Sequence, residues 1–591
     1  MFSKEILLNV SRPGRYINHE WNAYYRNPGE VKLKFCLAYP DLYEVGMSNL
    51  GFRIIYDLLN QEPDLLCERV FLPWIDMESF LRKNKIPLAS LESKIPLKDF
   101  DLLGISLHSE LNYTGVLNLL YLGNIPLLSA ERKADSPLIV AGGSACFNPE
   151  PLADFIDLFV IGEGEEVLLE IVNLCKNRRG EIKDKEGKRE LLLELAHLEG
   201  VYVPSLYKTE YFPNGKISRF YPLFPGLAPR IKKRIVSDLN NAPYPHRTVV
   251  PYIEIIHDRI GIEIMRGCPH RCRFCQARNI YYPRRERSVE KIKELAWQNF
   301  LSSGYEEIAL LSLSSLDYSE IEKLFFTLSQ VFKPLGVGLS LPSLRIKRTV
   351  KNLLKAYQGM RRSGLTFAPE AGSERMRKII NKKIDLKIFY EIVEEILNSG
   401  WQGLKLYFML GLPGENEKDL AETVEMVYRI LAMKKKGRAR IHLSFNTFIP
   451  KPHTSFQWLS LIEEKLWKEK RAYLEEKLKH KLIRYNFSNY QEDWLETLLS
   501  RGDRKLGKVI LKAWEKGARF EAWREQFNFK IWQEAISETG IEPALYIYEK
   551  RDLNEIFPWD FIETGVGKEE LVRDYQVFEK YLRIDNKEVF C

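Results

Sequence analysis

Between residues 32 and 164, short apolar runs alternate with stretches whose apolar residues recur at helical spacing. Residues 34–39 (KFCLAY) and 102–107 (LLGISL) are predominantly apolar, as are 138–140 ahead of Gly142-Gly143 and 158–161 ahead of Gly162. Such runs fit strands covered on both faces, because a strand with one wet face would alternate. Amphipathic segments at 52–60 and 113–122 lie between them. Strands alternating with helices predict a parallel, doubly wound sheet, whose ligands bind at the carboxyl ends of the strands.

Residues 176–189 are densely charged and read as a surface helix or loop. Two extended runs flank Pro213-Asn214-Gly215-Lys216, a hairpin signal. Residues 222–251 are proline-rich and aperiodic, as a linker between domains would be. From Gly261 the alternation returns, with strands expected at 261–265, 308–312, 338–341, 364–368, 403–409 and 441–446. Helices are expected between them at 288–301, 319–332, 347–357, 374–380, 386–398 and 417–433. Six βα units in this length predict a partial, open (β/α)6 barrel, with its chemistry at the carboxyl ends of the strands. After Phe456 the chain turns helical, with segments at 459–481, 491–499 and 504–516.

The expected organisation is therefore an amino-terminal arm (1–30), an α/β domain (31–175), a hairpin and linker (176–256), a barrel (257–455) and a helical carboxy-terminal region (456–591). A chain of 591 residues is too long for one core and fits three or four domains. No apolar run is long enough to span a bilayer, and the Met-Phe-Ser-Lys-Glu start lacks the pattern of a secretory signal. A cytoplasmic protein without membrane association is expected. A net charge of +8 permits an RNA partner without demanding one.

Five of the eight cysteines are scattered singly, at 36, 67, 146, 175 and 591. The other three share one segment, Gly267-Cys268-Pro269-His270-Arg271-Cys272-Arg273-Phe274-Cys275, directly after the first barrel strand. Three thiolates on one short loop can hold three irons of a cubane and leave the fourth open. Arg266, Arg271, Arg273 and Arg278 would offset the negative charge. Two other readings compete: three core cysteines on one helix face, which Pro269 opposes, and a closed zinc site, which needs a fourth ligand that only His270 offers nearby.

The CxxxCxxC spacing, with Phe274 before the third cysteine on the loop after the first strand of a six-fold βα barrel, resembles the radical S-adenosylmethionine (SAM) superfamily. The resemblance implies a [4Fe–4S] cluster on Cys268, Cys272 and Cys275. It also implies SAM on the open iron, and reductive cleavage to a 5′-deoxyadenosyl radical by an electron from a donor such as flavodoxin or ferredoxin. Further strand ends fit the same family with departures. Where a Gly-Gly-Glu-like segment usually binds the methionine amine, this chain offers Ser312 and Ser314, with Asp317 beyond. Arg345 follows the third strand and could pair with a carboxylate. Phe367-Ala368-Pro369-Glu370-Ala371-Gly372-Ser373 places Glu370 near the adenosine by resemblance, while Ser373 also reads as a helix N-cap. Gly411-Leu412-Pro413-Gly414-Glu415 resembles the segment that approaches the adenine, with Gly411, Pro413 and Gly414 as the contacts. Residues 449–454 (IPKPHT) would line the substrate opening.

A doubly wound domain ahead of this barrel resembles the cobalamin-binding branch of the superfamily, over nearly the whole chain. Its Asp-x-His-x-x-Gly loop corresponds to Asp41-Leu42-Tyr43-Glu44-Val45-Gly46, with tyrosine where the cobalt ligand would stand. Asp41, Gly46, Ser106, Gly142 and Gly143 are the implied contacts, and Ile161-Gly162-Glu163-Gly164-Glu165 matches the end of this combined architecture. The implied third cofactor is cobalamin, held without a protein histidine below the cobalt; the alternative is a domain that keeps the fold and has lost the cofactor. The expected activity is hydrogen abstraction from, and methylation or other modification of, a substrate that could be RNA or protein. One rival is a methylthiotransferase, which needs a second cluster from three further cysteines, and Cys36, Cys67, Cys146 and Cys175 lack paired spacing. The other is a non-enzymatic, metal-stabilised RNA-binding adaptor, for which no stacking-aromatic signature is present.

Overall fold

Every residue of β1 (Leu33–Tyr39) except Lys34 is buried, as befits a strand paired on both edges. The computed structural model describes residues 4–181, 184–342, 345–347, 349, 352–353, 364–398, 403–434 and 440–588. β1 is joined in one sheet by β2 (Leu65–Phe71), β3 (Leu102–Ser106), β4 (Leu138–Gly142), β5 (Leu158–Val160) and the short β6 (Val201–Tyr202), in the order 2-1-3-4-5-6. The pairings are parallel except that of β6 with β5. The order turns back between β1 and β3, and such a switch point opens a crevice at the carboxyl ends of the strands.

β2 has the sequence LLCERVF, whose adjacent Glu68 and Arg69 hide it from a search for apolar runs, yet all seven residues are buried. Arg69 is fully enclosed between Glu92 (2.6 Å) and Glu20 (2.9 Å), its guanidinium 4.8 Å from the Tyr56 ring centre. Ser90 donates to Glu68 at 2.5 Å. The charges are tolerable because partners distant in sequence neutralise them, and removing one partner would leave an uncompensated buried charge.

The predicted hairpin forms from β7 (Tyr207–Tyr211) and β8 (Ile217–Pro222). The predicted linker is stitched down rather than free. β9 (Ile231–Lys232) pairs with the tail strand Ile562–Glu563, and Arg234 bridges to Gly162. Next come β10 (Ile260–Glu263), the two-residue strands β11 (Met265–Arg266) and β12 (Arg285–Glu286), β13 (Glu307–Leu311) and β14 (Gly338–Ser340). They are followed by β15 (Gly364–Glu370), β16 (Gly403–Leu410), β17 (Arg440–Thr447) and β18 (Ile483–Phe487). The six expected barrel strands are all present, as two parallel sheets, β10-β13-β14 and β15-β16-β17-β18. β18 adds a strand that the sequence concealed, since three of its five residues face solvent. The helix expected at 347–357 falls largely outside the described residues.

The helical tail packs against the first domain and the barrel. Asn148 of the first sheet's domain donates to the carbonyls of Ser500 (2.9 Å) and Gly502 (2.8 Å), and Arg504 pairs with Glu150 at 3.1 Å. A second apolar cluster joins Trp458, Phe557, Trp559 and Phe578 to Met376 and Phe456. Among the described residues no helix is long and apolar enough to cross a membrane.

Glu521 of the tail accepts a hydrogen bond from Thr114 at 2.5 Å, and burial pushes its carboxyl up to about 7. The folded state thus holds a proton that the unfolded chain releases near pH 4. That stabilisation is complete below about pH 4 and is lost as the pH rises towards 7. Glu521→Gln is therefore expected to gain thermal stability relative to the parent between pH 5 and pH 8. Parallel melts at the two pH values check it, and a gain no larger at pH 8 contradicts it.

Candidate functional site

The three clustered cysteines lie on a loop whose neck is the antiparallel pair β11–β12, with Met265 opposite Glu286 and Arg266 opposite Arg285. Gly267 enters the loop at φ +85°, and a Cβ there would stand 2.8 Å from the carbonyl oxygens of Tyr281 and Pro283. Glycine is required at this close approach. Cys275 is the N-cap of the helix Gln276–Ile280. The spacing of the three cysteines is thus not one helical face.

All three thiols are partly exposed and uncrosslinked. Burial pushes each of them up, Cys275 to about 11, against the opposing effect of backbone N–H groups of His270 on Cys268 and of Arg278 on Cys275. Arg345 and Lys382 oppose the rise at Cys272. Bound iron would stabilise the thiolates directly, and these donors would share their charge. Among the described residues no group of three or more His, Cys, Asp or Glu side chains is arranged to hold a metal ion. That is no objection to a cubane, because each cysteine there binds a different iron.

His270 is engaged by the end of β13: its Nε2 lies 2.6 Å from Asp317. Ser314 donates to the same carboxylate at 2.5 Å and Lys347 reaches its other oxygen. Burial would raise the Asp317 carboxyl, but His270, Lys347 and Ser314 hold it well below the usual carboxylate range. The group joins the cysteine loop to the end of β13. Glu370, in the left-handed region at φ +65°, pairs with Lys382 at 2.9 Å and acts electrostatically on Cys272. Arg345 donates to the Lys383 carbonyl at 3.0 Å. Arg345, Glu370 and Lys382 thus gather round the second cysteine.

A cavity of about 580 Å³ opens at the switch point of the first sheet and runs to the barrel. Ser106, Gly142 and Gly143 line its first side, and Ser312 and Gly267 its barrel side. It therefore ends at the residue preceding Cys268. Most of its wall is apolar, with Leu37, Phe52 and Ile54 among the lining residues. His108, unremarked in the sequence although it stands two residues after Ser106, also lines it. Its Nε2 is 3.1 Å from the Ser106 hydroxyl, and burial pushes it down to about 4, so it is neutral at physiological pH.

The other expected residues make contacts within the protein. Asp41 is outside the cavity lining, its carboxylate taking hydrogen bonds from Trp523 (2.8 Å) and Asn112 (3.1 Å). Gly46 packs on Phe71, whose ring would be 2.4 Å from an added Cβ. Tyr43 bonds Glu20 at 2.9 Å and is likewise absent from the cavity lining. At Gly411 and Gly414 an added Cβ would meet Ile462 at 2.7 Å and Leu582 at 2.4 Å, so the close approach that glycine permits is to the tail. Pro413 shares that turn. Phe274 packs on the second apolar cluster. Ser373 caps its helix by accepting from Met376 at 3.1 Å. Within residues 449–454, Lys451 is bound by Glu110 (3.0 Å) and Glu496 (2.7 Å), and His453 by the Phe147 carbonyl (2.8 Å).

Residues 262–427 match the family model of the radical SAM superfamily, and residues 51–204 match that of the radical SAM proteins' N-terminal region. The chain belongs to the radical SAM superfamily. This radical SAM enzyme accordingly uses a [4Fe–4S] cluster and SAM. It is similar to an uncharacterized protein of Methanocaldococcus jannaschii, 29% identical over 479 residues, spanning 80% of this chain and 90% of that one. It is also similar to the tRNA-2-methylthio-N(6)-dimethylallyladenosine synthase of Rickettsia rickettsii, 26% identical over 180 residues. That match spans 29% of this chain and 40% of the synthase. The structure of the radical SAM methyltransferase TsrM from Kitasatospora setae, with cobalamin and a [4Fe–4S] cluster bound, shares the fold with a TM-score of 0.50 at 14% identity, covering 85% of this chain and 99% of that one.

Proposed function

We propose that Cys268, Cys272 and Cys275 hold the [4Fe–4S] cluster, that the adjoining cavity holds cobalamin, and that the enzyme methylates or otherwise modifies a substrate presented there. The observation that carries this reading is the continuity of the cavity, from the switch point of the doubly wound sheet to the residue before the first cysteine. A ligand in it would touch both the sheet that binds cofactors in such folds and the loop that carries the iron ligands. When bound, the cluster supplies the electron that cleaves SAM, delivered by a small carrier of the flavodoxin or ferredoxin type.

The chain's own residues do the rest. Arg345 and Lys382 offset charge at Cys272, while the His270–Asp317 pair fixes the loop against β13. The apolar cavity wall excludes water, and neutral His108 offers a hydrogen-bonding edge without a charge. The Asp41–Gly46 loop brings no imidazole, and Tyr43 is already committed to Glu20. A methylthiotransferase is the second reading, favoured by the partial similarity to the tRNA-modifying synthase. Cys36, Cys67, Cys146 and Cys175 are all buried, Cys36 and Cys67 on the paired strands β1 and β2, and none of them lines the cavity, which favours the cobalamin reading.

Anaerobic loading of the reconstituted chain with hydroxocobalamin, then gel filtration and cobalt analysis, tests the reading. Cobalt is expected to stay with the protein, and its reduced Co(II) EPR spectrum is expected to lack splitting from a protein nitrogen. No retained cobalt contradicts cobalamin binding. Nitrogen splitting that vanishes in His108→Ala contradicts the absence of a histidine ligand.

A further inference from the structure

Glu163, at the end of the first sheet's domain, is gripped by both strands of the cysteine loop's neck. Arg285 clasps its carboxylate through two nitrogens, at 2.7 and 2.8 Å, and Arg266 meets it at 3.0 Å. The linker amide of Val236 donates to it at 2.7 Å. Arg266 also pairs with Glu165 at 2.8 Å and with Glu263 at 2.9 Å. These side chains are at most 16% exposed, so solvent screens them weakly. Burial would push Glu263 up, but Arg266, Arg287 and Arg285 outweigh it and hold the carboxyl low.

The far end of the loop is held from the same side. Lys233, 2% exposed, donates to the carbonyls of Asn279 (3.2 Å) and Ile280 (2.9 Å) at the end of the helix that Cys275 caps, and to that of Tyr282. A cation there satisfies carbonyls that the helix leaves open. Beside Lys233, Arg234 exchanges backbone hydrogen bonds with Ile161 (2.9 Å) and Glu163 (3.0 Å).

We infer that Glu163 is a positioning residue: a carboxylate from the amino-terminal domain that staples shut the neck of the cysteine loop, so that this domain sets the geometry of the iron ligands. The inference rests on the reading that the loop holds the cluster. Arg266 and Arg285 face each other across the neck, and their like charges would push it open. Glu163 binds both and converts the repulsion into a three-centre ion pair. Glu163, Glu165, Glu263 and Arg266 also form part of the cavity wall, which makes wall and loop one rigid unit.

Hydrogen–deuterium exchange of peptides covering residues 267–284 tests it, in the full chain before and after iron loading. Glu163→Gln is expected to speed exchange of the loop by about tenfold, the scale of losing a charge-assisted contact that holds the neck closed, while β1, β3 and β4 exchange as in the parent. Glu163→Asp, which keeps the charge, is expected to restore most of the protection. Retained iron should fall in Glu163→Gln and recover in Glu163→Asp. Unchanged loop exchange in Glu163→Gln, or acceleration spread evenly over the first sheet, overturns the inference. A parent chain that takes up no iron contradicts the cluster reading, while the exchange comparison in the iron-free chain still decides the staple.

Discussion

Cys272→Ala is expected to leave the fold intact and to abolish 5′-deoxyadenosine formation from SAM. The side chain sits on a loop, partly exposed, and is not part of either apolar cluster, so little packing is lost. Its sulfur is the one on which Arg345, Lys382 and Glu370 all act, and a cubane with one thiolate missing loses an iron anchor rather than a contact. Iron content and nucleoside analysis of the purified variant check this. Cys146→Ala is the matched control: Cys146 lies fully buried in the first core, and its loss is expected to lower stability by roughly 1 kcal/mol while product still forms. Product formation by Cys272→Ala at the parent's level would remove this cysteine from the site.

The second large effect separates two adjacent glycines. At Gly143, φ is +125° and an added Cβ would lie 2.2 Å from the Leu107 carbonyl oxygen, so Gly143→Ala is expected to destabilise the protein by about 3 kcal/mol. Gly142 carries no such constraint, because the nearest atom to an added Cβ is in Val160 at 3.6 Å. Gly142→Leu is therefore expected to fold while filling part of the cavity, weakening cobalamin retention by at least about tenfold, or ~1.4 kcal/mol. Melting curves paired with cobalt retention distinguish the two positions. If Gly142→Leu binds cobalamin like the parent, the occupant lies elsewhere.

What could be read from the sequence follows the range of the interactions. β1, β3 and β4 announce themselves by runs of apolar residues, and the cysteine loop by spacing within eight residues. β2 escaped because Glu68 and Arg69 are paid for by Glu20, Glu92 and Ser90, none of which local pattern can connect to them. The Gly411–Gly414 turn is legible as a close approach, but the packing of Ile462 and Leu582 against it is not, since both arrive from the tail. Asp41 and Gly46 match a motif whose ligand histidine is missing, and their contacts with Trp523 and Phe71 join residues that local pattern does not connect. The neck staple joins Glu163 to arginines over 100 residues away, with a separation of 122 residues for Arg285. Only the juxtaposition of the two sheets brings them together.

Incubation of the anaerobically reconstituted enzyme with dithionite and SAM, followed by mass spectrometry of the nucleosides, tests the central claim most directly. The account predicts 5′-deoxyadenosine, dependent on reductant and absent without iron, with S-adenosylhomocysteine beside it if methyl transfer is the reaction. A chain that binds no iron and leaves SAM intact would contradict it.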